Sequence, residues 1–486
     1  MRSSQTTRYR SRLSEQTGFA PVGVPEYRNT GASRGREGKN SFIQESGKIR
    51  RSLIVALVFV GLLFWSALPC QARVYIDITA PYLRKIPTAV PLLKDMGPHN
   101  SPNKLTKTLA DLLADTLAYT GFFQILDRRS FLEDPQQAGL MQHVINFKNW
   151  TDVGAELLVK GGLERRGNLL KVELRLFDTF GGRLIIGKRY TCHLADQRRV
   201  IRRFCNDIIR RLTGHEGIFN TQIAFVSTTT GHKEIYIADF DGYNPRQFTN
   251  TRAITLFPAW SSDGQYLAYT DYKRGSPDLY IKNIKERRGT VVSFPGSNIT
   301  PAWAPGKFAL AASLSYKGNP SIYLLTGKGK IIKKLTHHWG IDVSPAWSPD
   351  GKKLAFVSNR SGSPQIYIKD IESGKVRRLT FKGKYNTSPQ WSPRGDYIAY
   401  TGLENGQTNI YLISTNGGCP VQLTRDAGKN ESPAWSPDGS MIAFSSTREG
   451  PSRIYVMNAN GWNQRRLLVL KGEQTDPTWS PRLSFR

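Results

Sequence analysis

Cysteine is nearly absent from this chain: there are four in 486 residues, and three once the first 72 are set aside. So few exclude a disulfide-held scaffold. Cys192 and Cys205 either pair or act as small apolar fillers, with Cys205 on the buried stripe of a helix. Catalytic signatures are missing too. No P-loop, His-Glu-x-x-His or Cys-x-x-Cys occurs, and the single Gly-x-Ser-x-Gly pattern, Gly31 to Gly35, falls in the polar first 52 residues and forms no nucleophile elbow, which excludes the commonest hydrolase, nucleotide-cleaving and redox sites. The seven histidines are scattered, and the adjacent His337 and His338 would point apart on a strand, a poor metal pair. Acidic residues are scarce as well, 38 against 68 Lys and Arg, a net charge of +30. Without residues 1–72 the balance is 57 basic to 34 acidic, or +23, which favours anionic partners.

A long membrane-spanning run is the next absence. The apolar stretch Leu53 to Leu68 has sixteen residues, short of the ~20 a spanning helix needs. Lys48, Arg50 and Arg51 precede it and Pro69-Cys70-Gln71-Ala72 follows, the layout of an export signal cleaved after Ala72. A membrane anchor is the competing reading. A lipid anchor on Cys70 is disfavoured by Pro69. Residues 1–52 form a polar leader with eleven basic and four acidic residues, a composition that supports no packed core. Export turns the positive charge toward acidic proteins, anionic head groups or wall polymer; nucleic acid is not an expected partner, nor is stable membrane insertion after cleavage.

What is present is a beat. Tryptophan recurs in one setting at Trp260, Trp303, Trp347, Trp391, Trp435 and Trp479, at spacings of 43, 44, 44, 44 and 44, each two residues after a proline. Turns such as Ser348-Pro349-Asp350-Gly351 follow, then a strand such as Leu354 to Val357. A second strand carries Tyr236, Tyr280, Tyr323, Tyr367, Tyr411 or Tyr455, a third ends in Phe248-Thr249, Leu335-Thr336, Leu379-Thr380 or Leu423-Thr424, and the Pro-x-Trp segment supplies a fourth. Six four-stranded sheets packed radially hide their faces and protect their edges. The pattern predicts a six-bladed β-propeller over residues 217–486, with tryptophan as a wedge at the blade seams. One repeat is irregular, with Ala304-Pro305-Gly306-Lys307 at the turn and Val292-Ser293-Phe294 in place of Leu-Thr. The last Pro-x-Trp strand either completes the final blade or pairs beside Ile223 to Val226.

Residues 73–216 read as a separate α/β domain. Expected strands are Arg73 to Thr79, Phe122 to Leu126, Glu156 to Leu163, Leu169 to Phe177 and Arg183 to Tyr190. Expected helices are Leu105 to Tyr119 and Asp196 to Leu212, the second with the arginine pairs Arg198-Arg199, Arg202-Arg203 and Arg210-Arg211 on its solvated face.

One polar feature recurs without an obvious structural need. Asn298-Ile299-Thr300, Asp342-Val343-Ser344, Asn386-Thr387-Ser388 and Asn430-Glu431-Ser432 occupy one register before each Pro-x-Trp, so they should gather at one end of the tunnel. Such a ring suits a peptide or a hard cation such as Ca²⁺; the alternative is loop capping by short polar side chains. No other cofactor is expected.

The sequence Leu212-Thr213-Gly214-His215-Glu216-Gly217-Ile218-Phe219-Asn220-Thr221-Gln222-Ile223-Ala224-Phe225-Val226, the Asp241-Gly242-Tyr243-Asn244 turn and the ending Pro477-Thr478-Trp479-Ser480-Pro481 resemble the TolB proteins of the Gram-negative envelope, over essentially all of residues 73–486. The resemblance implies a periplasmic, non-catalytic Tol-Pal adaptor that supports outer-membrane integrity and invagination during division. It implies that the propeller mouth receives the peptidoglycan-associated lipoprotein Pal, with contacts at Asn298, Thr300, Asp342, Val343, Asn386 and Asn430. It implies that the C-terminal domain of TolA engages Arg73, Val74, Tyr75, Ile76, Asp77, Ile78 and Thr79, and leaves room for other peptidoglycan-associated outer-membrane proteins. Gly296 to Thr300 departs from the family in side chains. Two competing functions are a wall- or carbohydrate-binding propeller and the gating propeller of an exported peptidase; the chain has no segment of hydrolase-domain size for the second.

Overall fold

The computed structural model describes residues 84–97 and 104–484, all within one compact unit. The leader, the apolar run, the cleavage site and the Arg73–Thr79 segment lie outside the described residues.

The first part is an α/β domain. Strands β1 (Ile86–Ala89), β3 (Phe123–Ile125), β4 (Leu157–Arg166), β5 (Leu169–Asp178) and β6 (Arg183–His193) form a sheet of order β3-β1-β4-β5-β6, and the short β2 (Lys94–Asp95) pairs with β4. β1 runs parallel to β3 and β4, while β4, β5 and β6 form an antiparallel meander. Helices α1 (Lys104–Tyr119) and α3 (Gln197–Thr213) contact each other. In α1 the helical spacing buries Leu109, Leu113 and Leu117; α3 does the same with Ile201, Phe204, Cys205, Ile208 and Leu212. The α3 helix stops at Gly214, whose φ of 77° lets its N–H reach the Arg210 carbonyl. Cys192 and Cys205 are both free thiols. β1, β2 and the one-and-a-half-turn α2 (Phe147–Asp152) were not expected from the sequence. They are too short to show a period, and Pro87 interrupts β1.

Six four-stranded sheets follow, and the propeller closes. In each, the Pro-x-Trp strand lies first and the sheet continues as a meander, as in the order 255–260, 266–271, 278–283 and 289–292 of the second blade. The first blade is composite: Gln474–Trp479 pairs antiparallel with Gln222–Ser227, joining the end of the propeller to its beginning. Of the two closures the sequence left open, this is the one adopted.

The tryptophans sit at the seams. The indole N–H of Trp303 donates to the carbonyl of Ala259 in the neighbouring blade at 3.1 Å, and those of Trp347 and Trp435 to Ala302 and Gln390 at the same distance. Trp260 reaches Thr478 at 3.3 Å and Trp479 reaches the Thr221 hydroxyl at 2.7 Å. Trp391 instead donates to Gly395 in its own blade. The recurring tyrosines lie on the third strand and, except for Tyr323, pack against an aromatic directly opposite, as in Tyr269–Tyr280 and Tyr400–Tyr411, both at 5.6 Å; Tyr323 lies opposite Ala312 and packs on Tyr316 at 5.8 Å. Four of the Leu-Thr type endings have one job: the hydroxyls of Thr249, Thr336, Thr380 and Thr424 each accept the backbone N–H of an isoleucine on the third strand.

Candidate functional site

An antiparallel meander sends alternate connections to opposite ends of each blade. The turns between third and fourth strands lie at the end that carries the α/β domain, and the loops leading into each inner strand lie at the other. The domain contact is built at Asp239 to Tyr243 and Asn458 to Asn463. Arg202 of α3 donates to Asp239 at 2.9 Å and Asp241 at 3.2 Å, Arg198 pairs with Asp241, and the Arg198 guanidinium lies 4.0 Å from the Tyr243 ring centre. Tyr119 donates its hydroxyl to the Phe240 carbonyl at 2.7 Å, packs edge-on against that ring, and sits under Arg465. Two of the arginines expected on a solvated face therefore dock the propeller. A single apolar cluster runs through the contact, from Leu113 and Phe204 to Phe219, Phe240, Met441 and Leu467.

Among the described residues, the opposite face carries no part of the α/β domain. Each inner strand bulges at the residue before its proline: two residues face one on the partner strand, as at Phe257-Pro258. Those residues, Phe257, Thr300, Ser344, Ser388, Ser432 and Asp476, all have φ between 49° and 54°. Left-handed backbone at six non-glycine residues is strained, and proline bars the right-handed helical alternative. The six line a central cavity of about 330 Å³ together with the Pro-x-Trp segments. Asp476 is the sole carboxylate among the lining residues. Desolvation pushes its pKa up, opposed by hydrogen bonds from Ser432 and Thr475 and by the charge of Lys233; the Ser432 hydroxyl donates to it at 2.9 Å. Among the described residues, no three His, Cys, Asp or Glu side chains gather as a metal set.

The polar triads divide by position. Asn298, Asp342, Asn386 and Asn430, at the start of each inner strand, are buried. Their side chains clamp the preceding loop: Asn298 donates to Phe294 O at 2.8 Å, Asn386 to Lys382 O at 2.8 Å, and Asn430 to Gly428 O at 3.2 Å. Asp342 instead accepts with both oxygens from one guanidinium nitrogen of Arg360, at 2.9 and 3.0 Å. Thr300 and Val343 remain half-buried, with the Thr300 hydroxyl 2.7 Å from that of Ser313. The loops leading into the inner strands hold out side chains that sequence reasoning missed: Trp339 (75% exposed), whose carbonyl accepts from Asn319 at 2.7 Å, Phe381 (73%) and Val469 (85%), joined by Ile254, Ile341 and Tyr385. A large apolar residue inside a short loop of glycine, histidine or lysine was the available signal. Around them stand Lys273, Arg274, Lys317, Arg360 and Arg448 on the loops between second and third strands.

A family model described as the TolB beta propeller domain matches residues 209–483, and one described as the TolB amino-terminal domain matches 74–185. The chain belongs to the TolB family. TolB sequences named in relatives agree: the Tol-Pal system protein TolB of Desulfosudis oleivorans is 52% identical over 292 residues, 60% of this chain and 66% of that one. The protein TolB homolog of Chlorobaculum tepidum is 44% identical over 252 residues, 52% of this chain and 57% of its own length. The matches thus span less than two thirds of those relatives. The crystal structure of TolB from Acinetobacter baumannii superposes with a TM-score of 0.72 at 26% identity, covering 84% of this chain and all of that one. TolB membership makes the chain a Tol-Pal component with a propeller fold, not an enzyme.

Proposed function

We propose that this chain is a periplasmic Tol-Pal adaptor whose open propeller face receives Pal and whose Arg73–Thr79 segment engages TolA, supporting envelope integrity and invagination at division. The observation that carries the reading is the apolar ring of Trp339, Phe381 and Val469 on the face left free by the α/β domain. Exposed aromatics held on clamped loops are the usual anchors of a protein interface, and the basic residues around them suit a partner with acidic groups at its rim. On this reading the buried Asn298, Asn386 and Asn430 serve the surface by holding loops, Asp342 by holding Arg360, and Thr300, on the cavity wall, would meet a partner segment entering the tunnel, with Val343 beside it in the strand.

The test is titration calorimetry with purified Pal. Trp339→Ala with Phe381→Ala should weaken binding by at least roughly tenfold while leaving the melting temperature unchanged; undiminished affinity removes the site. Exposed aromatics also stack on sugars, so sedimentation with purified sacculi belongs beside it: binding that needs no Pal would favour a wall-binding propeller.

In the same tunnel, Asp476 and the surrounding hydroxyls could hold a hard cation as a ring of oxygens. On that reading millimolar Ca²⁺ raises the melting temperature of the parent protein and not of Asp476→Asn. Equal response of both discards the ion.

A further inference from the structure

A second, strongly basic concavity lies away from the propeller mouth. It has a volume of about 800 Å³ and is walled by β6, by α3, by the domain junction and by the C-terminal tail at Arg482 to Ser484. Five cations converge on it from segments far apart in sequence: Lys188, Arg189, Arg203, Arg210 and Arg482. Two carboxylates line it, Asp207 and Glu216.

The pairing inside the groove leaves most of the positive charge uncompensated, five cations standing against two carboxylates. Asp207 is already engaged by Arg210 at 3.2 Å and faces the Tyr190 hydroxyl at 3.5 Å. Arg189 shares the single carboxylate of Glu173 with Arg175. Arg482 is satisfied by neutral carbonyls alone, those of Glu216 at 2.7 Å and Gly217 at 3.1 Å, which fix its guanidinium without neutralising it. Lys188 and Arg203 make no ion pair among the described residues, and both are exposed. A solvated helix face would spread its cations outward; here strand, helix and tail turn them into one hollow.

We infer that this groove binds a multivalent oxyanion, a phosphate ester or a polycarboxylate. Guanidinium groups present paired donors that match two oxygens of such an anion, and a concave, one-signed surface concentrates counter-charge far better than isolated residues do. The flexible Lys188 and Arg203 close on the ligand from the rim, and Arg482 is already held in place at the floor by its carbonyl bonds.

The experiment uses calorimetry at low ionic strength with two probes, inorganic pyrophosphate and citrate. Three proteins are compared: the parent, the pair Lys188→Glu/Arg203→Glu, and a control pair of equal charge change on turns of the fourth blade, Lys352→Glu/Lys375→Glu. Binding by the parent should fall by at least roughly tenfold in the groove pair and remain within about twofold in the control. Pyrophosphate binding alone assigns the ligand to phosphate esters, and citrate binding alone to polycarboxylates. Pyrophosphate or citrate, whichever binds, should also shield Arg203 of the parent protein from phenylglyoxal, a readout that needs no variant. Neither probe binding, or equal weakening in both pairs, overturns the inference.

Discussion

Asp278 shows what one irregular residue does in an otherwise repeated frame. In the first, fourth and fifth blades the threonine after the outer strand donates its hydroxyl to a buried polar side chain: Thr249 to Glu234, Thr380 to Gln365 at 2.8 Å, Thr424 to Asn409 at 2.9 Å. The second blade has Ser293 there, exposed, and the equivalent Asp278 is 1% exposed with neither oxygen hydrogen-bonded among the described residues. Its one cation is Arg274, at 3.7 Å and largely solvated. Replacing Asp278 by Asn removes a desolvated charge and should stabilise the fold by about 1 kcal/mol, read from the denaturant midpoint; a loss of stability would mean the Arg274 pair outweighs the burial. Asp476 gives a pH signature of opposite character to a salt-bridged acid. Its folded pKa is raised, so its favourable contribution is present where the carboxyl is protonated and is lost as pH rises through the folded value. Asp476→Asn should therefore melt higher than the parent at neutral and alkaline pH in calcium-free buffer, the gap closing on acidification.

At the scale of elements, the propeller was legible because each blade repeats its landmarks in register, and six copies turn a weak strand signal into a strong one. The helices α1 and α3 were legible for the same kind of reason, an apolar stripe sustained over four turns. β1 escaped because four residues with a proline carry no period. The polar triads were legible as one recurring register, yet which member faces the tunnel and which holds a loop was not. Their sorting depends on the bulge before each proline, a backbone event that turns Thr300 inward while Asn298 clamps the loop. Nor could the sequence say that Arg198 and Arg202 leave the solvated face, since their partners Asp239 and Asp241 belong to the next domain. The seam tryptophans allow a direct check of the wedge role. Trp479→Ala empties a position 7% exposed and removes the indole N–H hydrogen bond to the Thr221 hydroxyl, so a loss of roughly 3–5 kcal/mol in chemical denaturation is expected; a loss under about 1 kcal/mol would show that the seam packs without it.

For the whole molecule, the shared apolar cluster and the arginine contacts join the α/β domain to the propeller as one body. A single calorimetric transition is the expected result for the parent protein. Arg202→Ala leaves Asp239 and Asp241 half-buried with fewer partners, and should lower the transition temperature and split it if the domains then melt apart; one unshifted peak would show the interface rests on its apolar part alone. The two basic surfaces lie on opposite sides of this body, the mouth loops on one and the groove beside α3 on the other, so a protein partner and a small anion would not compete for space.

The composite first blade also sets an order of events in time. A polypeptide emerging amino end first, from a ribosome or a translocation pore, can pair five sheets as it appears, but Gln222–Ser227 must wait with its inner edge bare until Gln474–Trp479 arrives. For that interval the nascent molecule carries an unprotected strand edge, and any helper protein that guards newly made copies would be expected to recognise it there.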